Sequence, residues 1–201
     1  IMYKIAVYAI SKNEEKFVKR WVESMKEADD IYVLDTGSTD NTVSLLRDLG
    51  VHVEEQVITP WRFDIARNLS LNIIPDDVDI CICTDLDEVF EPGWRKKLEN
   101  IWNKNLTRLR YNYNWSLDEN NTPIVSFYGE KIHSDNYTWI NAVHEILKFN
   151  ENDMLLKLKE NGGVVGINYC HDFIKEDKSL ATVKDVVKHI VYIKDLIGID
   201  Y

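Results

Sequence analysis

No stretch of this chain stays apolar for the roughly 20 residues that a membrane-spanning helix needs, and its first residues show no secretory signal pattern. Cysteine is scarce. The three present are an odd count and give no disulfide framework. Cys81 and Cys83 fall in one apolar run and Cys170 stands far off in sequence, so they read as small apolar fillers rather than a zinc site. A reducing, cytoplasmic location is expected, and the Asn-x-Ser/Thr sequons at Asn105, Asn114 and Asn136 carry little weight without a signal peptide. Basic charge is also short, with 24 Lys and Arg against 34 Asp and Glu and a formal net charge of -10. That balance argues against a nucleic-acid partner and leaves any anionic substrate dependent on a metal or a few well-placed cations. Neither a G-x-G-x-x-G after the first two strands nor a Walker A pattern occurs, which argues against a Rossmann dehydrogenase and removes the phosphate-loop ATPases. Internal repeats and low-complexity segments are absent.

What remains is a chain of 201 residues, 45% hydrophobic and 29% charged, enough for one domain with a full core. Met2 behind Ile1 reads as a native start with a cloning remnant. At the other end a helical pattern runs into Ile197–Tyr201 without a polar tail, which predicts truncation from a longer protein that carries further domains. Apolar runs at Ile5–Ile10, Ile31–Leu34, Val51–Glu54 and Asp79–Asp85 read as strands. Between them lie helical spacings, the first opened by a capping signal at Ser11-Lys12-Asn13-Glu14 and carrying Phe17, Val18, Trp21, Val22 and Met25. The second runs through Val43–Leu49 to a stop at Gly50, and the third over Phe63–Ile74 to Pro75. This alternation predicts an α/β fold with a mostly parallel, doubly wound sheet. After Pro92-Gly93 the pattern changes. A helix over Trp94–Asn103 precedes extended, aromatic-rich segments at Arg108–Trp115 and Ile124–Ile132, further extended pieces near Ile146–Phe149 and Val164–Tyr169, and an amphipathic helix over Leu180–Ile197. Residues 1–201 are thus expected as a single domain, with a nucleotide-type half to about residue 100 and an acceptor-side half of mixed strands beyond it.

The most informative segment is Thr84-Asp85-Leu86-Asp87-Glu88, which closes the apolar run Ile80–Cys83. A strand ending in carboxylates at i and i+2 aims both at one point, because strand side chains alternate. Hard oxygen ligands there suit Mg2+ or Mn2+, at the sheet edge where α/β folds bind ligands. Asp35-Thr36-Gly37-Ser38-Thr39-Asp40 ends the second strand and opens a helix; its carboxylate either accepts hydrogen bonds from a base or ribose or serves an ordinary capped turn. On the helix after Phe63, Asp64, Arg67 and Asn68 share one face while Ile65, Leu69 and Ile73 share another. Asn is a poor interior helix former and gains little there unless it bonds something.

Taken in order, Ile10-Ser11-Lys12-Asn13-Glu14-Glu15, Val33-Leu34-Asp35-Thr36-Gly37-Ser38-Thr39-Asp40-Asn41-Thr42, Ala66-Arg67-Asn68 and Asp85-Leu86-Asp87 resemble the motifs of glycosyltransferase family 2 over about residues 3–100. The resemblance implies the GT-A fold and a nucleotide-activated sugar donor. It places Asp35 at the base or ribose of a UDP-sugar, UDP-glucose or similar, with Ser11, Asn13 and Glu14 lining the same pocket, and Asp64 and Arg67 near the base or diphosphate. Asp87 would be the more direct ligand of Mn2+ or Mg2+, with Asp85 nearer the ribose and metal-bound water. The departing diphosphate gains negative charge, which such a cation stabilises.

In the second half, Trp139-Ile140-Asn141-Ala142-Val143-His144-Glu145 resembles a W-x-x-x-V-H-E segment of some bacterial sugar transferases of this type. It implies Glu145 as the base that takes the acceptor's proton, with Asp135 and Asp172 as rivals and His144 as an orienter or acceptor contact. His171, in Tyr169-Cys170-His171-Asp172, would complete the metal site, and Lys175 and Lys178 would cover the diphosphate. Aromatics such as Trp115, Tyr128, Tyr137 and Trp139 are candidates to stack on sugars. The expectation is a metal-dependent transferase acting on a carbohydrate or glycoconjugate hydroxyl, inverting by family default with retention left open. A nucleotidyltransferase and a non-catalytic nucleotide-sugar binding module are its rivals.

Overall fold

The computed structural model describes residues 3–150 and, further on, the helical positions 187, 188, 190 and 191. The chain divides into two compact units, residues 1–148 and 149–201. Within the first unit the elements run β1 (Ile5–Ser11), α1 (Glu15–Met25), β2 (Asp30–Asp35), α2 (Thr42–Asp48), β3 (His52–Glu55), α3 (Phe63–Leu71), β4 (Ile80–Cys83) and α4 (Trp94–Ile101). They continue with β5 (Arg108–Leu117), β6 (Pro123–His133), β7 (Tyr137–Ile140) and β8 (Ile146–Phe149).

Six strands form one sheet in the order β3-β2-β1-β4-β6-β5, and β7 pairs with β8 separately. β1 pairs in parallel with both β2 and β4, and β2 with β3. The antiparallel hairpin β5–β6 extends the same sheet through β4. No break therefore separates the halves near residue 100. This is the α/β, mostly parallel architecture expected of a GT-A fold. The chain winds outward from β1 through β2 to β3, then crosses back to β4 on the other side, so the strand order reverses beside β1. The C-terminal ends of β1, β2 and β4 face that switch point, where sheets of this kind take ligands.

β1 is a central strand with Ile5 through Ala9 all buried, the continuous apolar run that a doubly covered parallel strand requires. On one face α1 lays Val18, Trp21, Val22 and Met25, at helical spacing, against Ile5, Val7 and Ala9. α4 adds Trp94 and Leu98 to the same core. Gly50, at φ +82°, ends α2 where the left-handed region is needed.

Three local expectations change. Ser11 belongs to β1 and its hydroxyl bonds Asp35, so the capping box before α1 does not form. α3 buries its polar face: Asp64, Arg67 and Ser70 are buried, whereas Ile65 is exposed. β4 stops at Cys83, so Asp85 and Asp87 follow the strand in a turn and side-chain alternation does not aim them. The extended piece near 164–169 lies outside the described residues. Of the last helix, the four described positions are helical, with Val187 and Val191 exposed.

Candidate functional site

Two loops at the ends of β1 and β2 interlock side by side. Asp35, fully buried, accepts from the Ser11 hydroxyl (2.7 Å), the Ser38 hydroxyl (2.5 Å) and the backbone N–H groups of Gly37 (3.0 Å) and Ser38 (2.7 Å). Gly37 stands at φ +108°, a backbone that this tight turn requires and a side chain resists. Asn13 accepts from the Thr39 N–H at 2.7 Å, and its own N–H donates to the Ser38 hydroxyl at 2.8 Å. The Glu14 N–H donates to the Thr42 hydroxyl at 2.8 Å. Ser11, Asn13, Glu14 and Asp35 are therefore brought together, with Asp35 behind the loop surface, its carboxylate engaged by the loop itself.

The segment after β4 is held from both sides. Leu86 is buried and anchors the turn between the two aspartates. From α1, Trp21 Nε1 donates to the Thr84 hydroxyl (3.0 Å) and Arg20 Nη2 to the Asp87 carbonyl (2.8 Å). Asp85 faces two cations: Arg67 Nη2 bonds its Oδ1, and Lys131 Nζ donates to Oδ2 at 2.9 Å. Burial would raise the Asp85 carboxyl, but Arg67 and Lys131 outweigh it and hold the value at about 2. Lys131 also reaches Glu88 at 3.0 Å, and Glu88 in turn accepts from the Asp85 N–H at 3.1 Å.

Asp87 is exposed, and no hydrogen bond of its carboxylate is found among the described residues. Burial, then the nearby Asp87 carboxylate, pushes the Glu14 carboxyl above its ordinary range. The β1 loop and the Asp85–Asp87 turn thus share one electronegative region. Among the described residues no group of three His, Cys, Asp or Glu is placed to hold a metal. A cation such as Mg2+ is commonly held by one or two carboxylates together with substrate phosphates. Asp87 fits that pattern, whereas Asp85 is spent on Arg67 and Lys131.

α3 joins this turn to the W-x-x-x-V-H-E segment. Arg67, only 3% exposed, bonds Asp85 and also directs Nε to Glu145 Oε1 at 3.3 Å. Its guanidinium lies 5.7 Å from the Trp139 ring centroid. One helical position on, Asn68 accepts from the Trp139 N–H and donates to the Trp139 carbonyl, both at 2.8 Å. The Trp139 indole N–H donates to the buried Tyr8 hydroxyl at 2.8 Å, and Tyr8 meets His133 Nε2 at 2.8 Å. His133 Nδ1 lies 2.6 Å from the Ser134 carbonyl, so it carries the ring proton and Nε2 accepts from Tyr8. Burial holds the His133 imidazole down at about 4.

The expected residues divide accordingly. Arg67, Asp85 and Glu145 meet directly. Asp64 instead pairs with Arg62 at 2.7 Å and accepts from the Ile65 N–H at 2.9 Å in the first turn of its own helix. The structure does not bring Asp135 to the site: His133 pairs with Cys81 near the start of β4, and Asp135 follows it, away from the Asp85 end. Asp172, His171, Lys175, Lys178 and Cys170 lie outside the described residues. His144 is exposed at φ 55°. Lys131, Arg20 and the Tyr8–His133–Trp139 chain carry no local motif, since their roles depend on which strands become neighbours.

The family model described as glycosyl transferase family 2 matches residues 7–151. A shorter match, to membrane dipeptidase (peptidase family M19), covers residues 140–201, less than half of the chain and mostly beyond the described residues. An uncharacterized glycosyltransferase of Rickettsia typhi is 39% identical over 107 residues, 50% of this chain and 34% of the relative. One of Rickettsia conorii is 42% identical over 105 residues, 49% and 34%. These matches span about a third of the length of the curated relatives. Among solved structures, glucosyl-3-phosphoglycerate synthase from Mycobacterium tuberculosis, in complex with Mn2+, UDP and glucosyl-3-phosphoglycerate, is 26% identical at a TM-score of 0.36, covering 41% of this chain and 33% of that one. A mannosyltransferase from Pyrobaculum calidifontis in complex with GDP-Man and Mn2+ is 19% identical at a TM-score of 0.45, covering 54% and 35%. With a family model spanning most of its first compact unit, the chain belongs to glycosyl transferase family 2.

Proposed function

We propose that this chain is a metal-dependent glycosyltransferase that moves a sugar from a UDP-sugar to an acceptor hydroxyl, with inversion at the anomeric carbon. The observation that carries the reading is the buried Arg67 guanidinium, which joins the Asp85 carboxylate to Glu145. It sets a carboxylate suited to proton abstraction beside the D-x-D turn, at the sheet edge where the donor loops of β1 and β2 also end.

Each residue then has a physical task. Asp35 and Ser11 hold the loop that receives uridine, with Asn13 and Glu14 on its surface. Asp87 would hold a divalent cation, and that cation would supply Lewis-acid stabilisation to the departing diphosphate. Asp85, kept ionised by Arg67 and Lys131, orients the ribose side of the donor. Glu145 takes the proton from the acceptor hydroxyl as its oxygen bonds the anomeric carbon. The carbon–oxygen bond to the diphosphate breaks, and its electron pair leaves with UDP. Arg67 keeps the Glu145 carboxylate oriented for that transfer.

Calorimetric titration of UDP tests the donor side, with Mn2+ and then with EDTA, on the parent chain and Asp87→Asn. Binding that needs the metal and is lost in Asp87→Asn supports the reading and directs a screen of UDP-sugars for turnover. Equal binding in EDTA, or none at all, overturns the metal-bridged donor.

A further inference from the structure

A cavity of about 480 Å³ opens beside the Asp85 turn, between the β5–β6 hairpin and the segment that carries Trp139 and Glu145. Its size is that of a small-ligand site. Tyr111, Tyr113, Trp115 and Phe127 give it an aromatic wall, while Glu88, Lys131 and Glu145 stand at its polar side.

The wall is built by irregularities in the hairpin rather than by a regular ladder. Asn114 pairs with Ser126 and Ser116 with Val125, which leaves Trp115 as the extra residue of a bulge. Leu109 pairs with Ile132 and Tyr111 with Gly129, so a second extra residue falls at Glu130–Lys131 on β6. Bulges re-aim side chains. Here Trp115 lines the cavity and Lys131 reaches Asp85. Gly129 completes the wall by absence: a Cβ there would lie 2.5 Å from Tyr111 Cζ, so the ring occupies the space a side chain would fill. Tyr113 and Phe127 pack against each other across the strands, their centroids 4.9 Å apart and their planes tilted by 30°. Trp115 is 68% and Phe127 51% exposed, an unusual outlay of aromatic surface for a polar chain.

We propose that this cavity is the acceptor subsite and that its occupant is a neutral pyranoside, the terminal sugar of a glycan acceptor. The proposal rests on the glycosyltransferase reading above and narrows its acceptor. A pyranose presents C–H faces, which pack on aromatic rings, and edge hydroxyls, which both donate and accept. The cations at the cavity are already committed: Lys131 to Asp85 and Glu88, and Arg108 to Glu130 (3.3 Å) and the Leu147 carbonyl (3.2 Å). A phosphorylated or carboxylated acceptor would have to displace one of these pairs, whereas hydroxyls add to them. Glu145 on the same cavity is then positioned toward an acceptor hydroxyl.

The test is saturation-transfer NMR on the full chain with the methyl glycosides of glucose, galactose and mannose, and with 3-phosphoglycerate as an anionic control. The parent chain, Trp115→Ala and Phe127→Ala are compared; both side chains are largely exposed, so the variants should fold, and UDP with Mn2+ is titrated into each. The expected result is transfer to the ring C–H protons of at least one glycoside, reduced several-fold in both variants, with UDP affinity unchanged. No transfer to any glycoside, or transfer that neither variant alters, overturns the subsite. So does transfer to 3-phosphoglycerate alone. Glycoside transfer without UDP binding keeps the sugar subsite and overturns the donor assignment, so the two failures are distinguishable.

Discussion

Asn68 closes both backbone hydrogen bonds of Trp139, accepting from its N–H and donating to its carbonyl at 2.8 Å each. A helix side chain thus performs the task of a neighbouring strand and fixes the entry to the segment that ends at Glu145. Asn68→Ala leaves two backbone groups unpaired, at about 1–3 kcal/mol for each that stays dry. Asn68→Asp keeps the acceptor and loses the donor. Both should lower the urea midpoint. Both should also cut turnover by about 10- to 100-fold, since Glu145 is the proposed base and small misplacements of such a group are costly. UDP affinity should hold, because among the described residues the side-chain hydrogen bonds of Asn68 go to Trp139 and none goes to the β1 and β2 loops. A parallel loss of UDP affinity would contradict this division.

Arg67 is expected to resist its conservative replacement. Lysine lacks the planar fork that reaches Asp85 with one nitrogen and Glu145 with another. Arg67→Lys leaves one of the two carboxylates short of its cation and should cost about 3 kcal/mol in stability. Turnover should fall further than in Asn68→Ala. Denaturant unfolding and single-turnover rates check the two effects separately.

Acid sensitivity should appear in two steps. The His133 imidazole, held at about 4 by burial, is neutral in the fold and gains a proton more readily when unfolded, near 6.5. The unfolded chain therefore binds more protons between those values. The stability His133 contributes is present above about 6.5 and is lost as pH falls toward 4. His133→Gln should flatten this limb of the urea midpoint against pH. Asp85 acts lower: its contribution is present above about 3.9, the unfolded carboxyl value, and is lost as pH falls through about 2. Asp85→Asn should remove only that second limb.

Gly129→Ala offers a test of the aromatic wall that leaves every charged group in place. The new methyl would meet the Tyr111 ring at 2.5 Å, so the ring must move. Glycoside binding should fall several-fold with little change in UDP affinity, as read by the NMR and calorimetric titrations above. Unchanged glycoside binding would mean that the Tyr111 position is irrelevant to the cavity.

The sequence by itself determined the first half of the architecture, because burial on both faces writes Ile5–Ala9 and Ile80–Cys83 as unbroken apolar runs and α1 as a clear helical stripe. It also marked Asp85, Arg67, Asn68 and Glu145, whose motifs are local. Tertiary structure alone decided how they meet. Helical periodicity placed Ile65 on the apolar face, yet α3 buries Arg67 because two carboxylates from distant segments neutralise it there. Strand alternation would have aimed Asp85 and Asp87 together, but β4 ends at Cys83 and the buried Leu86 anchors a turn instead. The aromatic-rich strands and Trp115 were legible, but Lys131 and the bulges that shape the wall had no local signature, since a bulge is a mismatch between two strands. Pairing between segments distant in sequence is set by the packed sheet and cannot be read from either strand alone.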